Sequence, residues 1–105
     1  MSNGYTGMKT HADFKRALQT EGVKVITLSL AKGFENSKRL WVGMERVVKK
    51  ADTTGAYLVL PEDMDKNTNG SFLGYGKASE WAIEGDIVAN LEAGYSYRIV
   101  LPEGA

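Results

Sequence analysis

Tyr95-Ser96-Tyr97-Arg98-Ile99-Val100-Leu101 decides how this chain is read. Tyr95, Tyr97, Ile99 and Leu101 fall on one side of an extended backbone and Ser96, Arg98 and Val100 on the other, because successive strand residues point to opposite faces. The segment is therefore a β-strand. Working back toward the N-terminus, β-branched and aromatic residues recur in short runs divided by turn chemistry. Val23 to Leu30 is one run. Leu40 to Lys50 is a second, with Leu40, Val42, Met44 and Val48 on one face. Asp52-Thr53-Thr54-Gly55 reads as a hairpin turn, Ala56 to Leu60 as the antiparallel return, and Pro61 as its end. A polar loop follows to Gly70, then strands near Ser71 to Tyr75 and Glu80 to Ile83. Asp86 to Glu92 fits either a strand or a helical turn.

The one helical pattern lies before all of these. Thr10 with Asp13 three residues on resembles a capping box, Asp standing where Glu is usual, and Gly22 supplies a stop, so a helix is predicted from Thr10 to Thr20. His11, Phe14 and Leu18 form its apolar stripe with Ala17 beside it, while Lys15, Arg16 and Gln19 point away. The reading is α+β: one short N-terminal helix packed on a bent antiparallel sheet or small barrel of five to six strands. Residues 1–105 form a single domain in this reading, with residues 1–8 flexible.

A chain of 105 residues buries on the order of 60–70% of its unfolded surface without metals or disulfides. It has no cysteine, which removes a disulfide framework, a thiolate zinc site and a thiol nucleophile. The start lacks a signal-peptide core, and no run approaches the roughly 20 apolar residues of a membrane span. These features predict a soluble, cytoplasmic protein with no membrane partner. The formal net charge is zero, yet residues 1–50 carry ten Lys/Arg against four Asp/Glu and residues 51–105 carry three against nine. Such a split marks a basic surface for anions, an acidic surface for a basic partner, or two halves that neutralise each other on folding.

Catalytic chemistry has little to draw on. His11 is the only imidazole, and a histidine in a first helical turn is ordinarily a packing or surface residue. Glu80, Glu84 and Asp86, or Glu62, Asp63 and Asp65, offer carboxylates without a spacing that demands acid/base work. No enzyme activity, cofactor or metal is expected. Asp65-Lys66-Asn67-Thr68-Asn69-Gly70 satisfies the first half of an EF-hand loop, but its twelfth position is Gly76 rather than a bidentate Glu, and Asn69-Gly70 is a hairpin signal in its own right. Lys38, Arg39, Arg46, Lys49 and Lys50, with Trp41 and Tyr57 as stacking platforms, suit a small nucleic-acid-binding barrel. Against that stand the zero net charge and the lack of an RNP or KH signature.

The most distinctive stretch is Ser71-Phe72-Leu73-Gly74-Tyr75-Gly76-Lys77-Ala78-Ser79-Glu80-Trp81. Gly74 and Gly76 permit close backbone approach, Lys77 brings a point charge, Ser79 a hydroxyl, and Phe72, Tyr75 or Trp81 a ring to stack on. That set suits a small phosphorylated or nucleotide-like ligand, with Arg46 or Lys49 contributing from neighbouring strands. The candidate binding residues are thus Lys77, Ser79, Tyr75, Trp81, Arg46 and Lys49. The competing reading makes the aromatics core and Gly-Lys-Ala-Ser an ordinary turn.

The late motif, especially Tyr75 and Lys77-Ala78-Ser79-Glu80, together with Asp13-Phe14-Lys15-Arg16, Arg46-Val47-Val48-Lys49 and Ala56-Tyr57-Leu58, resembles a loose group of small bacteriophage and prophage accessory proteins. Gly76 stands where many of that group have proline, and Leu73 where tryptophan or cysteine is common. The resemblance implies a viral accessory context in the cytoplasm of an infected or lysogenic bacterial host, and no mechanism. Accessory proteins of this kind act by binding. The expectation is a non-enzymatic counter-defence or host-modulating protein that docks on a host protein or sequesters a nucleotide-like ligand, with nucleic-acid binding the alternative. A homo-oligomer fits the sequestering version, because pockets often form between subunits.

Overall fold

The computed structural model describes residues 7–20, 22–34, 36, 38, 40–68 and 70–102. The helix, α1, spans His11–Leu18. Its capping box forms as the sequence predicts: Thr10 Oγ1 accepts from the Asp13 backbone N–H at 3.2 Å, and Asp13 accepts from the N–H groups of Lys9 and Thr10. Four N–H groups at a helix start lack intrahelical partners, and this arrangement satisfies part of that deficit. Phe14, Ala17 and Leu18 are buried, as the stripe requires. No helix among the described residues is long and apolar enough to cross a membrane.

Seven antiparallel strands make a single sheet: β1 (Lys24–Ser29), β2 (Glu45–Ala51), β3 (Gly55–Val59), β4 (Ser71–Gly74), β5 (Trp81–Glu84), β6 (Ile87–Asn90) and β7 (Ser96–Val100). Their spatial order is β4-β3-β2-β1-β7-β6-β5. The class is α+β with a sheet curled into a half-barrel, and the strand count is seven rather than five to six. The added strand is β6, from the segment left between strand and helical turn. The second strand also starts later than the sequence pattern suggests. Residues 41–44 form a turn closed by Met44 N–H to Trp41 O at 3.1 Å, with Gly43 at φ +90°.

Two register shifts bend the sheet. One lies between Thr27 and Ser29 against β7, the other between Val48 and Lys50 against β3. An extra residue on one strand increases local twist and bends it. The second shift also sorts charge. Met44, Arg46 and Val48 face the concave side and are buried, and unbroken alternation would carry Lys50 inward after them. Lys49 takes the extra position, so Lys50 pairs with Tyr57 on the convex face, its Nζ 5.0 Å from the Tyr57 ring centre.

β4 and β5 are the two edges of the sheet, and residues 75–80 carry the chain from one to the other. The seam between them is closed at one end by α1, which packs against β3 and β5. Phe14, fully buried, sits with its ring centre 4.8 Å from Trp81 and 6.1 Å from Tyr75. The Tyr75 carbonyl accepts both the Trp81 Nε1–H and the His11 Nε2–H, each at 2.8 Å. One backbone oxygen thus ties the helix, the crossing segment and β5 together. Met8, at the end of the stretch expected to be flexible, is buried and exchanges two backbone hydrogen bonds with Gly85. Residues 1–6 lie outside the described part.

Asp13 and Asp52 make the acid limb of stability predictable. Backbone N–H donation, from Lys9 foremost, lowers the Asp13 pKa below its ordinary 3.8. Donation from the Thr54 hydroxyl and then the Thr54 and Gly55 N–H groups does the same for Asp52 in the β2–β3 turn. Groups with depressed folded pKa values stabilise above their unfolded pKa and lose that contribution as pH falls through the folded value. Stability should therefore decline below about pH 4, and Asp13→Asn with Asp52→Asn should flatten that decline in urea melts. An unchanged acid limb in the double variant would refute this assignment.

Candidate functional site

The half-barrel has a second end, away from α1, and there the concave face opens into a cavity of ≈ 210 Å³. Its floor comes from β1, β2 and β7 as Thr27, Arg46 and Tyr97, one wall from Leu73 on β4 with the neighbouring Phe72 and Gly74 backbone at its edge, and the rest from Leu30, Ala31, Phe34, Leu40 and Tyr95. The strand pattern explains the floor. Arg46 pairs with Val25 across β1–β2 and Thr27 with Tyr97 across β1–β7, so all four side chains face the concave side.

Arg46 is the unusual member. Only 4% of its surface is exposed, its guanidinium carbon stands 5.7 Å from the Tyr97 ring centre, and its Nε has no hydrogen-bond partner. None of the four ion pairs among the described residues involves it. The Thr27 hydroxyl, 1% exposed, is likewise unpartnered. Buried polar groups are almost always hydrogen-bonded, and a buried unpaired charge costs several kcal/mol, so two such groups in one cavity point to an exogenous acceptor. Tyr95 stands edge-on to Trp81 at 5.7 Å and 5.3 Å from Tyr97, which extends the ring stack from Phe14 to the cavity. Burial first, then the neighbouring Tyr97 and Glu80, raise the Tyr95 phenol pKa above 10.0, so it is neutral at physiological pH. Ser29 and Ser96 hydroxyls pair at 2.6 Å on the cavity side of the first register shift.

The six residues singled out from the sequence do not form one pocket. Tyr75 and Trp81 come together, but inside the core, 2% and 6% exposed, with the indole N–H used on the Tyr75 carbonyl. Lys77 and Ser79 lie exposed on and beside a 3-10 turn, Ala78–Glu80, where the Lys77 N–H is held by Glu80 Oε1 at 2.7 Å. Lys49 donates its ammonium to the carbonyls of Lys66 and Thr68, so it braces the 61–70 loop. Arg46 alone lines the cavity. Thr27, Tyr95 and Tyr97 were not singled out as binding residues, although the alternation around Tyr97 already placed it on the inward face.

The other candidate groups are engaged or dispersed. Asp86 pairs with Arg98 at 3.3 Å and Asp63 with Lys66 at 2.9 Å. Trp41 is half exposed on the 41–44 turn, and Tyr57 stacks on Phe72 at 5.0 Å on the convex face. Arg39 and Asn69 lie outside the described residues. All four ion pairs stay within one half of the chain, so the basic and acidic halves are not joined by any ion pair among the described residues. No group of His, Asp and Glu there could hold a metal ion. No family model, curated protein or solved structure matches this chain. Fold and cavity together describe an α+β half-barrel with the buried Arg46 guanidinium in its mouth.

Proposed function

We propose that the protein is a non-enzymatic binding protein that sequesters a small anionic ligand in the mouth of its half-barrel. The buried guanidinium of Arg46, without an ion-pair partner among the described residues and set against the Tyr97 ring, carries this reading. Capture requires no turnover. In the phage-accessory setting that the resemblance implies, withdrawing a host molecule from solution is a complete mode of action. The nucleotide-like ligand expected from the sequence is one member of this class.

Native mass spectrometry of freshly purified protein tests it. A small-molecule adduct is expected that survives Lys77→Ala and Ser79→Ala, which should also leave the melting temperature nearly unchanged, and that disappears with Arg46→Met. An adduct lost with Lys77→Ala but kept by Arg46→Met would move the site to the exposed turn. A second reading, nucleic-acid binding, is favoured by the exposed Phe72 ring beside Tyr57 and Lys50 on the convex face. It requires DNA or RNA binding that weakens steeply with salt.

A further inference from the structure

We infer that the ligand is an amphipathic monoanion, a single carboxylate on an aromatic or otherwise apolar body, rather than a polyanionic nucleotide. This rests on the cavity being a ligand site. The first argument is charge. Among the described residues Arg46 is the only cationic side chain in the lining, and a buried charge is best matched one to one. A phosphate monoester brings close to two negative charges and a polyphosphate more, leaving surplus charge in a low-dielectric enclosure. A carboxylate balances one guanidinium and fits its planar fork.

The lining gives the second argument. Leu30, Ala31, Phe34, Leu40 and Leu73 offer hydrocarbon and aromatic surface. Among the described residues the lining has no amide or carboxylate side chain to read the hydrogen-bonding edge of a nucleobase. Thr27 supplies a hydroxyl that can donate to the second carboxylate oxygen, while Tyr95 and Tyr97 supply ring surface. Size is the third. At ≈ 210 Å³ the space is below the ~300–1,000 Å³ usual for drug-sized ligands, which fits one ring with its acid group.

Isothermal titration of the full chain with benzoate, indole-3-acetate, benzamide, adenosine monophosphate and inorganic phosphate tests the inference. Saturable binding of a carboxylate is expected, with benzamide and the two phosphates giving none. Arg46→Met should weaken carboxylate binding about 10- to 100-fold, the loss of one charge-assisted pair. Thr27→Val should weaken it severalfold while holding or raising the melting temperature of the free protein, because valine replaces an unpaired buried hydroxyl. Should Arg46→Met fail to fold, Thr27→Val carries the test alone. Arg46-dependent binding of the phosphates in place of the carboxylates would overturn the monoanion assignment and leave the cavity as the site. If no anion binds, or binding ignores both substitutions, the cavity itself is not the site and both readings fall.

Discussion

Phe14→Ala should cost about 3–5 kcal/mol of stability, the usual range for deleting a fully buried aromatic. That is a large fraction of the roughly 5–15 kcal/mol that holds a small domain together. The reason lies in the seam. Residues 75–80 lead from one edge of the sheet to the other without pairing them, and the Phe14 ring fills the gap between Tyr75 and Trp81. Alanine would leave a void bounded by two aromatic rings, and the Trp81 indole is fixed by its N–H on the Tyr75 carbonyl. The indole cannot move into the space without breaking that bond. Urea melts should show the midpoint falling sharply for Phe14→Ala and within ~0.5 kcal/mol of wild type for Lys15→Ala, which lies off the buried stripe. A loss below ~1 kcal/mol for Phe14→Ala would mean that the helix does not close the seam.

Gly70→Ala is the second substitution with a large expected effect, about 3 kcal/mol or more. Two costs combine there. Gly70 has φ +69°, and a Cβ on it would stand 2.0 Å from the Leu58 carbonyl oxygen and 2.6 Å from a Val59 methyl. The nearest clash is with backbone of β3, so no rotamer change relieves it. Gly43 makes the comparison, since it too has positive φ, at +90°, but a Cβ there meets nothing within 4 Å. Gly43→Ala should cost only the conformational term, roughly 1–2 kcal/mol. Equal losses in parallel melts would show that close approach at Gly70 contributes nothing. The same geometry accounts for the calcium-like pattern at 65–70. Gly70 is needed for a chain that doubles back onto β3, and the Lys66 and Thr68 carbonyls already face the ammonium of Lys49.

Local chemistry was legible where it was closed within a few residues. Thr10 and Asp13 cap one another, Asp52 gathers three donors from its own turn, and the alternation of residues 95–101 marks its inward face. β6 was harder to read because Ile87-Val88-Ala89-Asn90 is short, and its strand conformation is supplied by pairing with β5 and β7. The start of β2 was misread for a related reason. Leu40, Val42 and Met44 alternate as a strand would, but Gly43 turns the backbone between them and leaves Val42 63% exposed.

By itself the sequence determined the helix, its cap, the alternating faces and the α+β class, because each follows from propensities and hydrogen bonds that act over a few positions. Which residues share a site was decided only by tertiary structure. A single inserted residue on β2 sends Lys50 outward while Arg46 stays inward, and the curl of the sheet brings Thr27, Arg46, Leu73 and Tyr95, far apart in the chain, around one cavity. The aromatic Lys-Ala-Ser-Glu segment, the most conspicuous in the sequence, divides between core and surface because its rings close the seam while Lys77 and Ser79 remain in solvent. Register shifts and sheet closure are properties of paired strands, and pairing across tens of residues is not encoded in any one of them.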